Sequence, residues 1–200
     1  VRVFRQLLHV QAGAAPDEAL QPLAAEFNQQ ASPDTYSLAP YCALVELGAW
    51  AGQPDITIQA SQHLAQALER GALFSHGWVF LIPRILAIAA TLQQNWPQAE
   101  QHFHTAMSVA MRTGARPELG RTYLDYARML VTRAQSGDQP HAIALARQAE
   151  HLLRSLGMVA WAQDAQRLRQ GLQAIPHPRH APHTMQTLAN LSRQRTRFLG

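Results

Sequence analysis

The stretch from Leu44 to Ala67 restricts the fold of this chain more than any other. Leu44, Leu47, Gly48 and Ala51 share one face of a first helix, and Ala60, Leu64 and Ala67 share one face of a second. Residues three and four apart lie together on a helical surface. Small residues set among large ones let two backbones approach and their side chains interlock. Between the two sets lies Gly52-Gln53-Pro54-Asp55, a turn sequence. The stretch therefore reads as two antiparallel helices packed on each other.

The same spacing recurs along the chain. Val3, Gln6, Leu7 and Val10 lead to Ala19, Leu23 and Glu26, and Pro83, Leu86, Ala87 and Ala90 lead to Ala99, Phe103 and Ala106. Tyr123, Tyr126, Ala127 and Leu130 reach Ala142, Ala146 and Ala149 after three extra residues, placed in the Ser136-Gly137-Asp138 turn. A half copy starts at Met158, Trp161, Ala162 and Ala165. This order of large and small residues resembles the tetratricopeptide repeat (TPR). The steps between copies, 41, 39, 40 and 35 residues, exceed that family's standard 34, so helices or turns are lengthened. Pro83 stands where an aromatic is usual, and Gln6 and Glu26 stand at normally apolar positions. The resemblance implies an all-α fold, a right-handed superhelical solenoid of antiparallel helix pairs with about nine to ten helices. The competing reading is an irregular helical bundle.

Glycine and proline punctuate the proposed elements. A TPR-like domain over 1–175 holds pairs at about 2–31, 35–70, 75–114 and 117–157, with a last helix at 158–174. Within the third pair, Ser75 is expected to open a helix carrying Trp78, Phe80, Leu81, Ile85, Leu86 and Ile88, with Pro83 kinking it or sitting in its first turn. That helix is expected to be the most enclosed element, being apolar almost all round. Residues 176–183, rich in proline and histidine, read as an extended linker. Residues 184–200 form a basic segment, either a capping helix or the lead into another domain. Val3 to Val10 is already in repeat phase, which suggests a piece of a longer protein.

A hydrophobic share of 47% and a charged share of 15% suit a globular chain with a sizeable core. The longest apolar run is broken at Pro83-Arg84, too early to span a bilayer. Cys42, the single cysteine, reads as a small buried residue. A cytoplasmic setting is expected. No phosphate-cradling glycine loop, His-Glu-x-x-His, nucleophile elbow or dinucleotide fingerprint is present, so neither an enzyme nor a cofactor is expected. His102 and His104 are two apart on a helix and point to different sides, which argues against joint metal ligation. His177, His180 and His183 lie roughly 9 Å apart if extended, too far to share one ion, and no metal site is expected. The arginines at 193, 195 and 197 are a weak basis for nucleic-acid contact.

In a solenoid of helix pairs the inner wall is lined by the first helix of each pair. The residues expected there are Val45, Ala49, Arg84, Ile88, Thr91, Arg121, Leu124, Arg128, Val159 and Gln163. Arginines among apolar residues suit an anionic or peptide carboxylate ligand. Alternatively Asp125 pairs with Arg121 and Arg128 along their shared helix. Trp50, Trp96 and Trp161 are assigned to packing. From Ala115 to Leu168 the sequence, with Arg116-Pro117-Glu118-Leu119 leading to Leu124-Asp125-Tyr126-Ala127-Arg128-Met129-Leu130, is similar to the helical region of ATP-dependent LuxR-type regulators, bacterial nucleotide cyclases and sensor kinases. That resemblance implies a module coupling partner or effector binding to an output domain. The expected function is a non-catalytic scaffold holding a protein or peptide segment in its concave groove; the alternative is a sensor of a small anionic effector.

Overall fold

The computed structural model describes residues 38–75 and 80–174, together with positions 10, 15, 18, 20–22 and 24–25. The linker expected at 176–183 and the segment 184–200 lie outside the described residues, as does most of the pair expected at 2–31. The described chain is almost entirely helical: α1 (Ala39–Ala51), α2 (Pro54–Glu69), α3 (Ile82–Leu92), α4 (Trp96–Thr113), α5 (Arg116–Arg133), α6 (Asp138–Ser155) and α7 (Val159–Ala174). Two short strands, β1 (Phe74–Ser75) and β2 (Phe80–Leu81), pair antiparallel ahead of α3, with Phe74 opposite Leu81.

Local chemistry sets the helix ends. Pro54, Pro83, Pro97 and Pro117 each fall in the first turn of a helix, where a missing N–H costs nothing and the ring presets φ. Asn95 caps α4 by accepting from the Gln98 N–H, and Gly114 ends that helix at φ +69°. The helix expected from Ser75 is corrected here. It starts at Ile82, and Phe80 and Leu81 before it are extended, with Leu81 at ψ 108°. Proline cannot sit inside a helix without removing a hydrogen bond and striking the preceding turn, so a helix crossing Pro83 gives way to one that begins beside it.

Each helix packs on the one that follows, and α1 touches α3, α3 touches α5, and α5 touches α7. The alanines on which the repeat spacing rests, Ala60, Ala99 and Ala142, are fully buried. Gly48 on α1 lies against Thr57 of α2, and a Cβ on Gly120 of α5 would stand 2.7 Å from Leu153 Cδ2 of α6, so both crossings depend on a missing side chain. The most enclosed stretches are Ile82 to Ala87 in α3 and Tyr41 to Gly48 in α1, where Cys42 lies fully covered. Farther along, the Phe103 and Tyr126 rings stack at 5.0 Å between α4 and α5. No helix among the described residues is long and apolar enough to cross a membrane.

Candidate functional site

Helices α1, α3 and α5 bring charged side chains to one buried point. Arg84 on α3 is 1% exposed. Its Nη2 donates to Glu46 Oε1 on α1 at 2.5 Å, its Nε to Glu118 Oε2 at 2.9 Å and its Nη1 to Asp125 Oδ2 at 2.8 Å. Arg121 donates from Nη2 to the same Glu46 oxygen at 2.5 Å and from Nη1 to Glu118 Oε1 at 2.8 Å. The Leu81 N–H donates to Glu118 Oε2 at 2.9 Å, which ties the strand pair to the same centre. Arg128 extends the chain of charges outward, from Asp125 Oδ1 at 3.1 Å to Asp164 Oδ2 on α7 at 3.5 Å. Asp164 also pairs with Arg167.

The charges cancel. Glu46, Glu118, Asp125 and Asp164 face Arg84, Arg121, Arg128 and Arg167, four of each sign. Burial opposes ionisation of Glu118, but Arg84, Arg121 and the Leu81 N–H outweigh it and hold its carboxyl below the usual range. Burial likewise opposes the charge on Arg84, and the carboxylates of Glu118, Glu46 and Asp125 hold its pKa well above normal.

Two adjoining cavities open beside this network. The first, of about 350 Å³, is lined by Ala49 and Trp50 from α1, Ile88, Thr91 and Leu92 from α3, Asp125, Arg128, Met129 and Thr132 from α5, and Phe103 from α4. The second, of about 410 Å³, shares Trp50 and Arg128 and adds Trp161, Gln163, Asp164 and Arg167 from α7. The Arg121 guanidinium lies 4.7 Å from the Trp161 ring centroid, and the Trp50 and Trp161 rings are 6.2 Å apart. The first cavity is thus mostly apolar and the second about evenly polar and apolar, and their arginines already hold carboxylates.

Of the residues expected on the inner wall, the structure brings Ala49, Ile88, Thr91 and Arg128 together in the first cavity and places Gln163 in the second. Val159 is 62% exposed and lines neither. Val45, Leu124, Arg84 and Arg121 are buried, and their assignment to an open wall is corrected. Val45 belongs to the core, and Leu124 packs with Ala149, Leu153 and Ala162. The reason is position along the helix rather than face. The cavity residues occupy the C-terminal parts of α1, α3 and α5, whereas Glu46, Arg84, Glu118 and Arg121 of the ion network lie nearer the N-termini, with Asp125 shared by both. Trp50 and Trp161, assigned to packing, are half-buried cavity residues; Trp96 packs against the core.

Asp125 pairs with Arg128 as the helical spacing allows, while the ion pairs found for Arg121 go to Glu118 and Glu46. Sequence reasoning missed Glu46 and Glu118. The available signal was Glu46 itself, an acid between Val45 and Leu47 in an otherwise apolar run, since a buried charge needs a partner. Among the described residues no group of three or more His, Cys, Asp or Glu is placed to hold a metal ion. His104 stands 3.5 Å from the Tyr126 hydroxyl, and burial lowers the pKa of His102. No protein-family model, curated protein or solved structure matches this chain.

Proposed function

We propose that this chain is a non-catalytic TPR-like scaffold, a right-handed superhelix of antiparallel helix pairs that holds an extended or helical protein segment along its inner wall. One observation carries the reading: the two adjoining cavities are lined chiefly by α1, α3, α5 and α7, the first helix of each successive pair. The partly exposed apolar side chains of Trp50, Ile88 and Leu92 suit apolar anchors of a partner, and the Arg128–Asp164 pair at the shared edge suits its backbone or polar side chains. A small anionic effector fits less well, because Arg84 and Arg121 are already ion-paired with Glu46 and Glu118. By its resemblance to LuxR-type regulators, cyclases and sensor kinases, the module belongs in a larger cytoplasmic signalling protein. There, partner binding would be relayed to an output domain.

The test is selection of a displayed random peptide library on the chain, with affinities read from tryptophan fluorescence of Trp50 and Trp161. Ile88→Glu places a charge in the first cavity and should weaken the selected peptides about tenfold or more, with circular dichroism at the assay temperature checking that the variant is folded. Peptides that bind this variant undiminished would remove the groove assignment. A small anion that stabilises the parent but not Arg128→Ala would shift the reading to the effector sensor.

A further inference from the structure

Helix α7 also borders a second surface, one whose charges do not cancel. Arg167 and Arg169 are two residues apart, about 200° round the helix, so Arg167 borders the groove and Arg169 turns to the other side. There, with α6, it bounds an open-sided cleft of about 560 Å³ lined by Arg147, Glu150, His151, Arg154, Ser155 and Arg169. Glu150 Oε1 accepts from Arg154 Nη1 at 3.1 Å, and its Oε2 accepts from Arg169 Nε at 2.9 Å. Arg154 and Arg169 also donate to Gln166 and Gln173 at 3.1 and 3.0 Å. Two guanidiniums from different helices are thereby held on either side of one carboxylate.

Two further arginines there, Arg147 of α6 and Arg116 of α5, have no carboxylate among the described residues. Arg147, His151 and Arg154 follow one stripe of α6 at steps of four and three residues, and Arg147 forms no ion pair among the described residues. Arg116 of α5 reaches Ser155 Oγ at 3.4 Å and likewise forms none. Four guanidiniums therefore stand with one acid, Glu150, where the groove has four with four.

We propose that this α6–α7 cleft binds a phosphomonoester carried on a side chain of a partner protein. A phosphomonoester brings a charge of about −1.5 to −2 and three acceptor oxygens, and guanidinium forks take such oxygens in pairs. A nucleic-acid backbone fits less well. The cation stripe from Arg147 to Arg154 covers about 10 Å at 1.5 Å per residue. Before it lie Ala142 to Ala146, and beyond Arg169 no cation follows to Ala174. Tracking a strand requires neutralising phosphate after phosphate over a longer path. A side-chain phosphate also suits an open-sided cleft, since the peptide that bears it adds contacts along α6.

Fluorescence polarisation of the whole chain tests this with a labelled, glycine-flanked phosphoserine peptide, its unphosphorylated twin, inorganic phosphate as competitor, and a single-stranded oligonucleotide of about ten nucleotides. The phosphopeptide should bind about tenfold or more tighter than its twin, and Arg147→Ala and Arg154→Ala should each weaken it about tenfold. Both positions are exposed, so circular dichroism melting should be unchanged. Glu150→Gln should tighten the phosphopeptide, because it removes the resident carboxylate that competes for Arg154 and Arg169. Equal binding of the twin, or unaltered binding by the Arg147→Ala/Arg154→Ala double variant, overturns the proposal. An oligonucleotide that binds more tightly than the phosphopeptide reassigns the cleft to nucleic acid. Inorganic phosphate that matches the peptide's affinity reassigns it to free phosphate. Failure in any arm leaves the groove reading untouched, because the two surfaces share no side chain.

Discussion

Replacing Arg84 by methionine keeps most of the side-chain volume and removes the one charge that touches three acids. In Arg84→Met the carboxylates of Glu46, Glu118 and Asp125 lose partners at 2.5, 2.9 and 2.8 Å, with solvent nearly excluded from all three. Breaking a buried pair by removing one partner costs about 3–5 kcal/mol, out of a total stability of about 5–15 kcal/mol. At about 2–4 °C per kcal/mol for a chain of this size, the melting temperature falls by roughly 10 °C. Urea unfolding followed by circular dichroism at pH 7 measures the loss. The pH dependence separates charge from packing. Glu118 has a folded pKa below its unfolded value, so its stabilisation is present above the unfolded pKa and is lost as pH falls through the folded one. The variant lacks part of that term, so the gap between parent and variant is widest at neutral pH and narrows below about pH 4. A loss under about 1 kcal/mol, or a gap that stays constant with acid, would refute the reasoning.

Gly120→Ala drives a Cβ to 2.7 Å from Leu153 Cδ2 and 2.8 Å from its Cγ, so thermal melting should show a loss of about 1–3 kcal/mol. Gly171→Ala at an exposed position of α7, with nothing within 4 Å of the new carbon, should gain about 0.5–1 kcal/mol. Asp138 accepts from Arg133 at 2.6 and 2.9 Å and from the Gln135 N–H at 2.8 Å, and Arg133 holds its pKa low. Asp138→Asn should cost about 1.5–3 kcal/mol near neutrality. That difference, read from urea midpoints, fades as pH falls through the depressed pKa of Asp138. Burial, then the Glu46 carboxylate, push the Cys42 thiol well above its ordinary pKa; a thiol reagent should therefore modify it only as fast as the chain unfolds, and stoichiometric labelling of the native protein would count against this core.

Where the sequence was legible, the signal was local and periodic. Ala60, Ala99 and Ala142 repeat at one place in each hairpin and are buried there, and Gly114 and the prolines at 54, 97 and 117 mark helix ends that the structure places within a residue or two. The strand pair at Phe74–Ser75 and Phe80–Leu81 was not legible, because a short apolar run satisfies a strand as readily as a buried helix. The lining of the two cavities was half legible. Periodicity assigns a face, so Ala49, Ile88, Thr91 and Arg128 came out together, but it does not say how far along the helix the neighbours close in. Val45 shares a face with Ala49 and is nevertheless core. The long-range part of the ion network was invisible for a related reason. Spacing rules find Asp125 and Arg128, three apart, whereas Arg84 meets Glu46 across 38 positions and Arg121 meets it across 75.

Those long-range pairs explain how the floor of the groove is fixed. Apolar packing between α1, α3 and α5 is non-directional, and Leu44, Leu47, Ile85 and Ala127 would tolerate small slips of one helix past another. Guanidinium forks do not, since each oxygen of Glu118 already has its own donor and moving any one helix separates buried opposite charges. The relative placement of α1, α3 and α5 is therefore set by ions at one end of the helices, while the other end stays open as a cavity. Between α5 and α7 the linkage is weaker: the Arg128–Asp164 pair is 3.5 Å long, with both side chains more than a third exposed, and pairs of that kind contribute about 0–1 kcal/mol. The ionic restraint thus falls on α1, α3 and α5, whereas α7 is joined to α5 and α6 mainly by apolar packing of Ala162 and Ala165 against Leu124, Ala149 and Leu153.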